Sequence, residues 1–154
     1  LKRARAVNLF GIGASRLVAH DLAQKLMRVD KECHLYDDWH DQLLCAKNMH
    51  EGDMAIAFSY SGLTQEVLDC TVEAQRHNCP VVAVTKVDGS SKLATMADAV
   101  LGVAASEPLV RSGAMASRMA QLMVVDALYA AYVASDYERA THVIKQNYIE
   151  KQER

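Results

Sequence analysis

Several common signatures are missing from this chain. Its four cysteines, Cys33, Cys45, Cys70 and Cys79, stand in or beside apolar runs, and no two form a Cys-x-x-Cys pair. That pattern argues against zinc ribbons and dithiol redox centres, and reads as buried thiols kept reduced in a cytoplasmic protein. A formal charge of −2 and a pI near 6.3 leave no electrostatic footprint for nucleic acid across the domain as a whole. There is no signal-peptide pattern. The longest apolar run, 119–134, contains Gln121 and Asp126 and falls short of the roughly 20 residues that a membrane span requires. No residue cluster calls for a metal, and no Gly-x-x-x-x-Gly-Lys-Ser/Thr loop is present. A dinucleotide fingerprint is incomplete, because Gly11 and Gly13 are followed by Arg16 where the third glycine belongs. Asp37 and Asp38 do stand about where such a fingerprint would place its ribose acid. That reading is weak, and no cofactor is expected.

What is present is a chain of 154 residues, 51% of them apolar, enough for one domain with one core. Strand and helix patterns alternate. Strands are expected at 7–10, 33–36, 54–58, 81–85 and 99–103. Helices are expected at 15–29, 39–49, 64–77 and 91–96. The first of these helices carries Val18, Leu22, Leu26 and Val29 on one face. Strands separated by helices of this length predict a doubly wound α/β fold, a five-stranded parallel sheet covered on both faces. Neither an internal repeat nor a low-complexity tract interrupts it. The chain opens on Leu1, Lys2, Arg3, Ala4 and Arg5 with no methionine, and the first strand follows at once. Residues 1–5 are therefore expected to be the tail of a preceding linker, and the chain a piece of something longer.

Two more helices are expected after the sheet, over 111–152. The first, 111–134, is apolar almost all round beyond Met119, so it needs cover on more than one side. The sheet supplies one cover, and a second copy of the chain is expected to supply the other, giving a homodimer or higher homo-oligomer. The alternative cover is the last helix, whose stripe Tyr137, Ala140, Ile144 and Tyr148 is apolar and whose start, Ser135 to Glu138, fits a capping box.

The richest stretch is Ser59, Tyr60, Ser61, Gly62, Leu63, Thr64, Gln65 and Glu66, placed between an apolar strand and a helix. Hydroxyls and free backbone N–H groups at a helix N-terminus suit a phosphate. A smaller loop of the same kind, Gly11 to Ser15, follows the first strand. In the strand order 2-1-3-4-5 both loops flank one crevice at the point where the order reverses. Ser15, Ser59, Ser61 and Thr64 then offer hydroxyls to a phosphate, and Gly62 lets the backbone turn and approach. Ser15 and Thr64 also fit plain helix caps. Glu66 suits the helix dipole without any ligand, and can equally accept from a sugar hydroxyl. His40 fits a surface or capping histidine as well as a sugar contact.

Gly13 and Ser15, the run Ser59, Ser61, Gly62, Thr64 and Glu66, and the later Ser91, Leu93, Ala94, Ala97 and Asp98 together resemble a sugar isomerase (SIS) domain across nearly the whole chain. Lys92 departs from the proline that many relatives carry there. Gly11 to Ser15, the stretch Asp37 to His40, and Arg111 to Arg118 are similar to the effector domain of RpiR-type bacterial transcription regulators. That resemblance implies a flavodoxin-like strand order and phosphate contacts at Gly13, Ser15, Ser59, Ser61, Gly62 and Thr64, with Ser91 lining the same pocket. It also implies a phosphorylated sugar as ligand, such as N-acetylmuramic acid 6-phosphate. DNA would be reached only through an N-terminal helix-turn-helix domain that lies outside this chain. Glu107 and Arg111 are further candidates for sugar or phosphate contacts, with loop-stabilising and surface roles as the alternatives. The functions left open are a sugar-phosphate sensor that is not an enzyme, a free-standing sugar-phosphate isomerase, and a structural dimerisation module.

Overall fold

A computed structural model of the chain describes residues 1–104 and 113–149. Five strands and six helices follow in the order β1 Val7–Gly11, α1 Ala14–Met27, β2 Cys33–His34, α2 Trp39–Lys47, β3 Met54–Phe58, α3 Gln65–Arg76, β4 Val81–Lys86, α4 Lys92–Met96, β5 Ala99–Val103, α5 Met115–Ala134 and α6 Tyr137–Gln146. All pairings are parallel, and the strand order is β2-β1-β3-β4-β5. β1 and β3 are buried along their whole length, as strands covered on both faces must be.

Side chains alternate across the sheet with the period of two that extended backbone imposes. Val7, Leu9, Met54, Ile56 and Phe58 point to one face and pack with Val18, Leu22 and Leu26 of α1 and Val125 of α5. Phe10, Ala55, Ala57 and Ala83 point to the other and pack with Ala46, Val67, Leu68 and Leu93 of α2, α3 and α4. The small side chains Ala55, Ala57 and Ala83 leave room there for three helices.

The ends of elements differ from the sequence reading in places. β2 stops at His34 instead of continuing to Tyr36. The helix expected over 111–134 starts at Met115, because Gly113 and Ala114 both take positive φ, 76° and 55°, and interrupt the run. The capping box at Ser135 does not form. Ser135 stays helical and its hydroxyl donates to the Tyr132 carbonyl at 2.7 Å, so it closes α5, while Asp136 precedes α6 without a side-chain cap. Of the stripe expected to cover α5, only Ala140 is buried; Tyr137 and Tyr148 are exposed. The outer face of α5 keeps Met119 66% and Met123 73% exposed. Residues 1–5 lie against the domain: Lys2 Nζ donates to the Ser135 carbonyl at 3.0 Å, Arg5 N–H to Gly52 at 2.7 Å, and the Arg5 guanidinium pairs with the buried Asp53 at 2.8 Å.

The four cysteines are free thiols, Cys70 and Cys79 buried, Cys33 and Cys45 half-buried. Burial pushes Cys33 and Cys70 up to about 12 and Cys45 to about 11, with nearby acids and thiols adding to it. Unfolding returns these thiols to an ordinary value of about 8.5. The folded protein then holds protons that the unfolded chain sheds, so this contribution is complete below about pH 8.5 and is lost as pH rises toward the folded values. The urea midpoint is expected to fall from about pH 9 upward, with a shallower fall in Cys70→Ala. Identical slopes in the two proteins contradict this assignment.

Candidate functional site

β1 sits between β2 and β3, so the chain leaves β1 for α1 on one face and leaves β3 for α3 on the other. Gly11 is paired with Phe58, so the two loops start at the same level of the sheet. A crevice at the carboxyl ends of such strands is where open α/β sheets place ligands.

The first loop is clasped from below by a glutamine. Gln42 of α2, 1% exposed, accepts the Gly11 N–H at 3.0 Å and donates to the Gly11 carbonyl at 3.1 Å and the Tyr36 carbonyl at 2.9 Å. These bonds serve backbone groups at the strand end. Gly13 follows at φ 59° and precedes α1 without any side chain over the helix end. Arg16 ties the helix start to the loop between β2 and α2, reaching the Asp37 carbonyl at 2.6 Å and its carboxylate at 3.2 Å. Ser15 is not the cap of α1. It lies inside the first turn, and its hydroxyl donates to Gln121 Oε1 at 3.2 Å.

The second loop is a knot of hydroxyls. Ser59 is buried; its Oγ lies 2.8 Å from Thr64 Oγ1 and accepts the Gly62 N–H at 3.1 Å. Thr64 stands at the cap position of α3, yet its hydroxyl turns to Ser59 and caps nothing. Ser61 is half-buried and accepts the Leu63 N–H at 3.3 Å, which leaves its own proton for another acceptor. Gly62 has φ 68°, and a Cβ there would lie 1.8 Å from Ser91 Oγ and 2.9 Å from Ser91 Cα. Ser91 stands behind the loop as a buttress. It is buried, caps α4 by accepting the Ala94 N–H at 3.1 Å, and bonds Thr85 Oγ1 at 2.8 Å.

The caps are unevenly distributed. α2 is capped by Asp38, which accepts the His40 N–H at 2.7 Å, and α4 by Ser91. α1 and α3, which follow β1 and β3, have no side-chain cap, and neither have α5 and α6. The first-turn N–H groups of a helix have no partner within it, and they carry the positive end of its dipole. Both helices start just past the carboxyl ends of the paired strands β1 and β3, and Ser61 lies in the loop that leads into α3.

Glu66 is half-buried in the first turn of α3, and its carboxylate has no hydrogen bond or ion pair among the described residues. His40 is exposed in the first turn of α2. Glu107 and Arg111 lie outside the described residues. A groove of about 1240 Å³ runs elsewhere, along α1 and the open edge of β2, and holds none of the loop hydroxyls. Sequence reasoning overlooked Gln42 and Thr85, and noted Gln121 only as a break in an apolar run. A polar side chain within an apolar helix face is costly to bury unless it is bonded, and that was the available signal.

The SIS domain family model matches residues 1–131. This chain belongs to the SIS domain family. An uncharacterised HTH-type transcriptional regulator of Caldanaerobacter subterraneus is 39% identical over 137 residues, which make up 89% of this chain and 48% of the regulator. The Vibrio vulnificus NanR protein, solved in complex with ManNAc-6P, superposes with a TM-score of 0.87 at 30% identity, covering 94% of this chain and 54% of NanR. The sugar isomerase domain of an RpiR transcription factor from Sphaerobacter thermophilus gives 0.82 at 25% identity, covering 94% of this chain and 79% of that one. The SIS domain described here spans about half the length of the first two proteins.

Two glycines separate backbone strain from crowding. Gly13 has φ 59° and ψ −127°, a region that glycine enters freely and L side chains avoid, with nothing within 4 Å of an added Cβ, so Gly13→Ala is expected to cost about 1–3 kcal/mol. Gly62→Ala adds collision with the Ser91 backbone to a similar strain and is expected to cost more than about 3 kcal/mol. Equal urea-unfolding losses in the two variants would contradict the packing of the loop on Ser91.

Proposed function

We propose that this SIS domain is the sugar-phosphate-sensing and dimerisation part of a DNA-binding transcriptional regulator. The observation that carries the reading is that α1 and α3 start without side-chain caps at the carboxyl ends of the paired strands β1 and β3, and one anion held between them beside Ser61 is the assignment made from it. A helix end contributes about 0.3–1 kcal/mol toward an anion, and each charge-assisted hydrogen bond about 1.5–3 kcal/mol. Donors therefore matter more than dipoles. The donors assigned to the phosphate are the N–H groups of Ala14, Ser15, Gln65 and Glu66 and the hydroxyls of Ser61 and Ser15, with Ser59, Gly62, Thr64 and Ser91 holding the loop that presents them. His40, Glu66, Glu107 and Arg111 are assigned to the sugar. ManNAc-6P in NanR supports an amino-sugar phosphate, the class to which N-acetylmuramic acid 6-phosphate also belongs.

Dimerisation is assigned to the outer face of α5, where Met119 and Met123 stand exposed. Ligand binding shifts the population of dimer geometries through contacts that differ between them. DNA is contacted by a helix-turn-helix in the remainder of the protein, whose half-site spacing that geometry sets. The site of action is the cytoplasm. That two relatives are HTH-type transcriptional regulators and a third an RpiR transcription factor argues for sensing over turnover.

A thermal-shift panel of hexose and amino-sugar phosphates, each beside its free sugar, tests the reading. At 100 times its dissociation constant a ligand adds about 2.7 kcal/mol, or about 8 °C in Tm for a domain of this size. Phosphorylated forms alone are expected to stabilise the domain, and Ser61→Ala to weaken them about tenfold. Equal shifts from free sugars, or none from any phosphate, contradict a phosphate site. Proton exchange at the sugar C2 on the timescale of turnover would make the domain an isomerase instead.

A further inference from the structure

Gln121 is 1% exposed, on the face of α5 turned to the sheet. Its Nε2 faces the Val84 carbonyl at 3.5 Å and its Oε1 faces Ser15 Oγ at 3.2 Å. That orientation is forced, because a carbonyl only accepts and the nitrogen must face Val84. Ser15 is then the donor. The same Val84 oxygen accepts the Ser59 N–H at 3.2 Å, which fills its two lone pairs, so Gln121 joins the first loop to α5 directly through Ser15 and the second through Val84.

A serine hydroxyl has one proton. Here it points to Gln121, so the lone pairs of Ser15 are what remain for other groups, and lone pairs repel an anion. We infer that Gln121 is a positioning residue that couples the crevice to α5: an anion that recruits the Ser15 hydroxyl takes its proton from Gln121 and frees the first half of α5. The inference rests on the phosphate reading and adds the route by which occupancy is felt elsewhere. Once Ser15 turns away, Gln121 Oε1 is a buried acceptor without a donor, and the helix relieves this by moving. The second half of α5 is held separately, because Lys25 of α1 bonds Asp126 at 2.9 Å as well as Asp21. Movement therefore falls on the part of α5 before that anchor. Met119 and Met123, on its outer face, move with it.

Hydrogen–deuterium exchange on the whole chain tests this without a ligand. Ser15→Ala removes the donor and is expected to speed exchange of amides 117–123 by about tenfold or more. Adding Gln121→Met removes the stranded acceptor and is expected to restore exchange to near the wild-type rate. Unchanged exchange in Ser15→Ala, or a double variant looser than the single one, overturns the relay. With ManNAc-6P as probe, Gln121→Met alone is expected to bind about five- to tenfold tighter than wild type, since nothing competes for the Ser15 proton. Weaker binding by Gln121→Met overturns the relay, as does wild-type binding that leaves amides 117–123 unaffected. If Gln121→Met fails to fold, the Ser15→Ala pattern decides alone. If ManNAc-6P binds none of the proteins while Ser15→Ala loosens α5, the relay stands and the sensing of this sugar falls.

Discussion

The site depends on one unconventional hydrogen bond. Thr64 stands where a threonine ordinarily caps a helix, and its hydroxyl goes to Ser59 instead. Ser59 also takes the Gly62 N–H, so the loop is closed by its own side chains and the start of α3 is left open. A capped α3 would have one of its first-turn N–H groups already answered. A loop without the Ser59 bonds would have to be ordered by the ligand, at an entropic cost of about 1–2 kcal/mol for each residue fixed. The knot solves both problems, and it requires glycine at position 62, where the backbone crosses directly over Ser91.

The layers around the loop follow from the strand order. Because the strand order reverses between β1 and β3, the helices that follow them, α1 and α3, lie on opposite faces of the sheet and start at the same end of two neighbouring strands. Two buried glutamines then do what the strands cannot. Gln42 answers the backbone at the end of β1, and Gln121 ties the first loop and the end of β4 to α5. Both are nearly inaccessible to water, so a lost partner leaves a polar group buried, at a cost of about 1–3 kcal/mol. The crevice and the long C-terminal helix are thus connected by bonds that are expensive to break singly.

Much of this was legible beforehand because it is local. The apolar runs at 7–10, 54–58 and 99–103 mark strands through length and flanking turns, and the serine-rich loop advertises itself by composition. The strand order was an assumption drawn from the alternation of elements, and the observed order agrees with it. What stayed hidden depends on tertiary partners. Nothing near Thr64 in sequence says that Ser59 will outcompete the helix end for its hydroxyl. Nothing near Ser15 says that a residue 106 positions later receives its proton. Ser135 read as a cap because its neighbours fit a capping box, yet a serine that remains helical bonds backward to the preceding turn. The interruption before Met115 rests on Ala114 at positive φ, a conformation that no alanine advertises.

The central claim is that the two loops hold a single anionic group. It is tested most directly by titrating an isotopically labelled sample with a sugar phosphate and following backbone amides by NMR. The account predicts that the amides of Ala14 and Ser15 shift together with those of Gln65 and Glu66, along curves that share one dissociation constant. Shifts confined to one loop, or two loops saturating at different concentrations, would contradict it.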